Sequence, residues 1–115
     1  FIATGTGIAP MLAMFAQAPG LEHDTLLFGC RHREEDLTTK ISSPMPGTVV
    51  RCLSREKAPG AFHGRVTQAV TALAHDLRLD PDGTDVYLCG SAAMVSDTHR
   101  FLERAGYESI HTEPY

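Results

Sequence analysis

The sequence predicts an α/β fold: an open sheet of about five parallel strands with helices on both faces. Three observations predict it. Short, nearly continuous apolar runs recur along the chain, as expected of strands buried on both faces. Segments with helical period separate them. A glycine-rich loop joins the first apolar run to the first helical segment, as where a parallel strand feeds a crossover helix.

Each element follows in order. Phe1-Ile2-Ala3 is the end of a strand. Pro10 to Gln17 reads as a helix with Met11, Met14 and Phe15 in its core. Pro10 takes the first position, where its missing N–H costs nothing. Ala18-Pro19-Gly20 stops this helix, and Thr25 to Cys30 is the second strand. Residues 32 to 47 are polar and then Pro-rich, so a short helix at best is expected, with Glu34-Glu35-Asp36 as its solvated acidic start. Thr48 to Leu53 is β-branched and reads as the third strand. Val66, Ala69, Val70, Leu73 and Leu77 fall on one helix face. Asp80-Pro81-Asp82-Gly83 is a turn, and Asp85 to Cys89 a strand. Ser91 caps a helix that runs to about Ala105, with Gly106 as its stop. Ser109 to Thr112 is a short last strand. Right-handed crossovers then give the order 3-2-1-4-5, a Rossmann-like doubly wound sheet. Ligands bind such sheets beyond the carboxyl ends of the strands, where the order reverses.

The chain has 115 residues, 43% apolar and 21% charged. That suits one packed domain and excludes disorder. No membrane span is expected, because no run of 18 apolar residues exists. No signal peptide is expected either: Gly5, Gly7 and Pro10 break the first apolar stretch and nothing basic precedes it. The chain opens at Phe1 without Met, directly into a glycine loop, so it is expected to be part of a longer protein. Cys30, Cys52 and Cys89 are an odd set without CxxC spacing, which predicts buried, reduced thiols and a cytoplasmic location. Cys30-x-His32 finds no second pair, and the six histidines lack ligand spacing, so no metal is expected.

The net charge of −4 is unevenly spread. Seven of the ten basic residues lie between Arg31 and Arg65, against four acidic ones. This island argues for a small anionic ligand and against nucleic acid, which would need a broadly basic face; a solvated surface with scattered charge explains the composition equally well.

Thr4-Gly5-Thr6-Gly7-Ile8-Ala9-Pro10 stands between a strand and a helix, the setting of a dinucleotide loop. Glycines let the backbone approach a pyrophosphate, and the helix N-terminus favours anions. The pattern is GxGxxP rather than GxGxxG, and no Gly-Lys-Ser/Thr follows. A tight turn that only needs glycine explains the bare motif equally well. The second strand ends in Gly29-Cys30-Arg31, where NAD-preferring sites carry an acid for the ribose 2′-hydroxyl. A cation there favours a 2′-phosphate. Ser54-Arg55 ends the neighbouring third strand, and Arg65 precedes the long helix. Each arginine alone is an ordinary surface cation, but three together form a fork for phosphate.

With these residues in view, the chain resembles the nucleotide-binding lobe of the ferredoxin–NADP reductase family, most of all the bacterial flavodoxin/ferredoxin–NADP reductases. The matching pieces are ATGTGIAP at 3–10, LLFGCR at 26–31, LSREKAPGAFHGR at 53–65, YLCGSAAMV at 87–95 and HTEPY at 111–115. The resemblance implies that residues 1–115 are the C-terminal, NAD(P)H-binding lobe of a two-lobed flavoprotein. The FAD-binding β-barrel lobe would precede Phe1. NADPH, or NADH, would exchange hydride with FAD held mainly by that other lobe, and ferredoxin or flavodoxin would be the partner in electron transfer. The lobe alone would be inactive. It further implies that Thr4, Gly5, Thr6 and Gly7 line the pyrophosphate and nicotinamide side. Arg31, Ser54, Arg55 and Arg65 would contact the 2′-phosphate. Cys89 and Gly90 would lie beside the nicotinamide in a pocket shaped by Met94. Glu113 and Tyr115 would lie near the flavin and, with Cys89, form the catalytic set, Cys89 by packing and positioning. Ala92 stands where many relatives have proline, residues 32 to 48 are shorter than in close relatives, and those relatives continue past the position of Tyr115 by an aromatic residue.

Two other readings remain open. One is an NADH-dependent reductase component of an oxygenase electron-transfer chain, against which Arg31 and Arg55 argue. The other is a stand-alone nucleotide-sensing domain. The absence of a Ser-His-Asp set does not weigh against an oxidoreductase, because hydride transfer needs placement more than acid–base help.

Overall fold

A computed structural model describes residues 1–114. Six strands form one sheet: β1 (Ile2–Thr4), β2 (Thr25–Cys30), β3 (Thr48–Leu53), β4 (Phe62–His63), β5 (Val86–Gly90) and β6 (Ile110–Pro114). The order is β4-β3-β2-β1-β5-β6, with every neighbouring pair parallel. The chain winds outward from β1 through β2, β3 and β4, then crosses back to β5 and β6. The carboxyl ends of β1 and β5 therefore face each other at the reversal.

Alternation along each strand divides the core in two. Ile2, Leu27, Cys52, Val86 and Leu88 point to the face covered by α2 (Val66–Leu73) and α3 (Ala92–Arg104). Val66, Ala69, Val70, Val95 and Leu102 of those helices complete this half. Ala3, Leu26, Phe28 and Cys89 point to the opposite face, under Ile8, Met11 and Phe15 of α1 (Ile8–Phe15). Helices on both faces of a reversing parallel sheet make the doubly wound fold that the sequence predicts.

Four details differ from the sequence reading. The sheet has six strands rather than five, because Phe62–His63 joins its edge. His63 stands opposite Leu53, and the Gly64 N–H extends the pairing to the Leu53 carbonyl at 2.9 Å. A two-residue strand carries no periodicity to read. The first helix begins at Ile8, because Gly5–Gly7 already curl into a 3-10 turn, so Pro10 sits third rather than first. That is still within the first turn, where no intrahelical donor is lost. The long helix ends at Leu73, but Leu77 stays packed on the core through further turns. Those turns close with Leu79 N–H to Ala74 O at 2.9 Å and Arg78 N–H to His75 O at 3.0 Å. This is a Schellman pair whose left-handed residue is Arg78, at φ 54°.

The fourth difference is a correction. Asp36 is not part of a solvated acidic start; it is 2% exposed. Its carboxylate accepts the Thr38 N–H at 2.9 Å and the Thr38 hydroxyl at 2.5 Å, and pairs with Arg51 Nε at 3.0 Å. Arg51 Nε also donates to Thr38 Oγ1 at 3.1 Å. Arg51, counted in the basic island, thus pins the 3-10 turns after β2 to β3.

Candidate functional site

A cleft of about 450 Å³ opens at the carboxyl ends of the strands. It lies on the α2 and α3 side of the reversal, where a doubly wound fold places its ligand. Thr4 and Gly5 form its floor beside β1. Arg31, Ser54, Arg55 and Arg65 line the side beneath β2 and β3, and Met94 closes the side toward β5.

Local sequence explains each position. The pairing of β2 with β3 continues past both strand ends: Ser54 N–H donates to Cys30 O and Arg55 N–H to Arg31 O, both at 3.0 Å. Arg31 and Arg55 are therefore neighbours by backbone geometry, and both are exposed. Gly64, at φ 149°, lets the chain turn from β4 into α2, with Arg65 as the N-cap. The Arg65 N–H donates to Gln68 Oε1 at 2.8 Å. This is the half of a capping box that uses the backbone of the cap residue; a guanidinium has no lone pair to return the other half. Among the described residues, none of Arg31, Arg55 and Arg65 makes an ion pair.

Two helix N-termini open onto this cleft. Arg65, Val66 and Thr67 bring that of α2, and Ser91, Ala93 and Met94 bring that of α3. Ser91 Oγ accepts the Met94 N–H at 3.3 Å. The positive ends of both helices add to the three cations. Two acids also reach the lining, Glu35 and Asp97. Asp97 is engaged by Arg100 at 2.8 Å.

Thr6, Gly7, Cys89, Gly90 and Glu113 are not in the cleft lining. Gly7 and Gly90 instead let the two strand ends meet. A Cβ on Gly7 would overlap the Cys89 carbonyl oxygen and lie 2.9 Å from Gly90 Cα. A Cβ on Gly90 would overlap Thr4 Oγ1 and lie 2.7 Å from the Met94 methyl carbon. The second glycine of the loop is thus fixed by packing against β5. Cys89 is buried on the α1 face, and Glu113 stands opposite it in register on β6. Burial raises the Cys89 thiol pKa above its ordinary value, and the Glu113 carboxylate adds to the shift. Thr6 and Glu113 are exposed. Tyr115 lies outside the described residues.

The sequence reading missed Thr67, Ser91 and Asp97 as lining residues. Ser91 was legible only as a cap. Thr67 and Asp97 lie one and five residues inside helices, and only the helix directions bring them to the cleft. Cys30 and Cys52 also reach the lining. Burial, reinforced by Asp36, Glu35 and Glu56, pushes the Cys30 thiol up to about 11. Burial, with Cys30 beside it, pushes Cys52 up to about 12. Both stay protonated at neutral pH. Among the described residues, no three His, Cys, Asp or Glu side chains stand together to hold a metal ion, and no helix is long and apolar enough to cross a membrane.

A doubly wound sheet with a cationic cleft at its reversal is the architecture of a nucleotide-binding lobe. The family model of the oxidoreductase NAD-binding domain matches residues 1–100, and the chain belongs to that family. A ferredoxin NADP+ reductase from Neisseria gonorrhoeae, solved with bound FAD and NADP, superposes at a TM-score of 0.79 with 23% identity, over 98% of this chain and 54% of its own. The Amycolatopsis cytochrome P450 reductase GcoB gives 0.75 with 30% identity, over 98% of this chain and 36% of its own. The flavohem-like FAD/NAD-binding domain of a nitric oxide dioxygenase from Vibrio cholerae O1 biovar El Tor gives 0.71 with 21% identity, over 99% and 49%. The chain therefore spans between about a third and a half of the length of these structures. Its architecture is that of the NAD(P)-binding lobe in the ferredoxin–NADP reductase family.

Proposed function

We propose that this chain is the NADPH-binding lobe of a flavin-dependent reductase, C-terminal to an FAD-binding lobe in the same protein. Its setting is the cytoplasm, and its electron-transfer partner is a ferredoxin or flavodoxin. The observation that carries the reading is the set of three guanidiniums, without an ion pair among the described residues, at the ends of β2 and β3 and the start of α2, on one cleft with two helix N-termini.

The residues present fit the cofactor. Arg31, Arg55 and Arg65 would hold the 2′-phosphate, with the Ser54 hydroxyl beside them. Thr4, Gly5 and the helix N-termini would receive the pyrophosphate. Met94, the Cys89–Gly90 strand end and the loop at Thr6 and Gly7 would shape the nicotinamide end. Glu113 and Tyr115 would approach the flavin from the last strand. The bound pair of cofactors supplies the chemistry, passage of a hydride between nicotinamide and flavin. The lobe contributes placement and exclusion of water, so by itself it binds nucleotide and turns nothing over.

A titration of the chain with NADPH and NADH tests this reading. Tighter binding of NADPH is expected; equal or tighter binding of NADH overturns the assignment. A second reading, an NADH-dependent reductase serving an oxygenase, is favoured by the 30% identity with the cytochrome P450 reductase. The same titration separates the two.

A further inference from the structure

One carboxylate stands among the arginines without pairing to any of them. Glu56 directly follows Arg55, and a carboxylate there has Arg31, Arg33 and Arg55 as sequence and strand neighbours. An ordinary surface acid would neutralise one of them. Glu56 Oε1 instead accepts the backbone N–H of Arg33, and the same oxygen lies 4.0 Å from His32 Nδ1. Its own carbonyl lies 2.8 Å from His63 Nδ1 on β4. One residue thus touches the three segments that carry or flank Arg31, Arg55 and Arg65. Its side chain is 29% exposed, less than a free surface glutamate. The arrangement fastens the loops while leaving the guanidiniums open to a ligand.

We propose that Glu56 is a positioning residue for nucleotide selection. Its carboxylate ties the turn at Arg33 to the end of β3 and holds Arg31 and Arg55 facing the cleft together. The inference rests on the NADPH reading and goes beyond it by naming what keeps the fork in register. The first of the two 3-10 turns after β2, at Arg33–Glu35, is short. It closes on two backbone bonds, Glu35 N–H to His32 O at 2.9 Å and Asp36 N–H to Arg33 O at 3.0 Å, and the Asp36–Arg51 pair holds its far end to β3, while the bond to Glu56 ties its first residue, next to Arg31, to the strand end that carries Arg55.

The test is a calorimetric titration of the full chain with 2′,5′-ADP and with 5′-AMP, read as the ratio of their affinities. The wild-type ratio is expected well above one; a ratio near one overturns the NADPH reading and this inference with it. Given a wild-type preference, Glu56→Ala should lower the ratio about tenfold, while Glu56→Gln, which keeps an acceptor oxygen, should stay within about threefold of wild type. A second pair of variants leaves Glu56 in place. Arg33 is the first residue of its turn, where proline fits, and His32 before it is already extended at φ −128° and ψ 149°. Arg33→Pro removes the donor N–H and should match Glu56→Ala; Arg33→Ala removes only the guanidinium and should keep the wild-type ratio. A wild-type ratio in Arg33→Pro overturns the role of Glu56 alone, even if Glu56→Ala fails to fold. A fall in Arg33→Ala as large as in Arg33→Pro does the same, because charge rather than the tie would then be responsible.

Discussion

The two sides of the cleft are built by opposite means. At the ends of β2 and β3 the site is made of long exposed side chains, Arg31 and Arg55, joined by Arg65 from the start of α2. At the ends of β1 and β5 it is made by leaving side chains out: Gly7 and Gly90 bring two backbones and Thr4 into contact. Side chains can be exchanged with little cost to the fold, whereas a contact between backbones cannot. One side therefore suits the choice of ligand, and the other fixes the frame against which any ligand is bound.

Gly7→Ala should give the largest effect. Its Cβ meets the Cys89 backbone, which cannot rotate away. A loss of about 3 kcal/mol in denaturant stability is expected, together with loss of nucleotide binding. Unchanged stability would show that the junction is looser than its geometry. On the arginine side the frame is held from below by Asp36. Asp36→Ala removes a turn cap and a partly buried ion pair and should cost about 2 kcal/mol. Arg51→Ala should cost less, because its side chain is 42% exposed. Arg55→Ala carries the comparison to the ligand. It should weaken NADPH by about tenfold, leave NADH within about twofold, and leave the melting temperature unchanged. An equal loss for both nucleotides would move Arg55 from selection to general attraction.

The smallest effect is one of pH. The Cys52 thiol is raised from 9.0 to about 12 in the folded protein, while the unfolded chain ionises near 9. Below pH 9 both states are protonated and the thiol is neutral in the balance. Above it the unfolded state gives up its proton first, so stability falls as pH rises. The first unit above pH 9 should cost about 1 kcal/mol, and Cys52→Ala should flatten the slope seen in urea titrations at those pH values. Cys30, raised to about 11, adds to the same slope.

The strands and their order were legible because Thr25–Cys30 and Val86–Gly90 are nearly continuous apolar runs, Thr48–Leu53 is rich in β-branched residues, and segments of helical period follow the first, third and fourth predicted strands. β4 was not, since two residues hold no pattern and only their alignment with Leu53 makes a strand. The arginine side of the site was legible because strand ends can be counted from a sequence. The glycine side was only half so: the motif reveals that glycine is needed at position 7, not that the Cys89 carbonyl is the reason. Asp36 was misread because acids in series look alike until one finds a threonine two residues on and an arginine from a neighbouring strand.

The hydrogen bond from Arg55 N–H to Arg31 O has a consequence for how such a protein changes its preference. It sets the two residues about one strand spacing apart, roughly 4.8 Å, and it uses only main-chain atoms. Whatever occupies positions 31 and 55 inherits that separation. The pair is therefore a socket in which charge can be rewritten: acids in place of the arginines would face a sugar hydroxyl from the positions at which, on the NADPH reading, the guanidiniums would face a phosphate. On the NADPH reading, a switch of coenzyme at this end of the sheet would start from these two positions, with Arg65 as the third, and would need no movement of the strands.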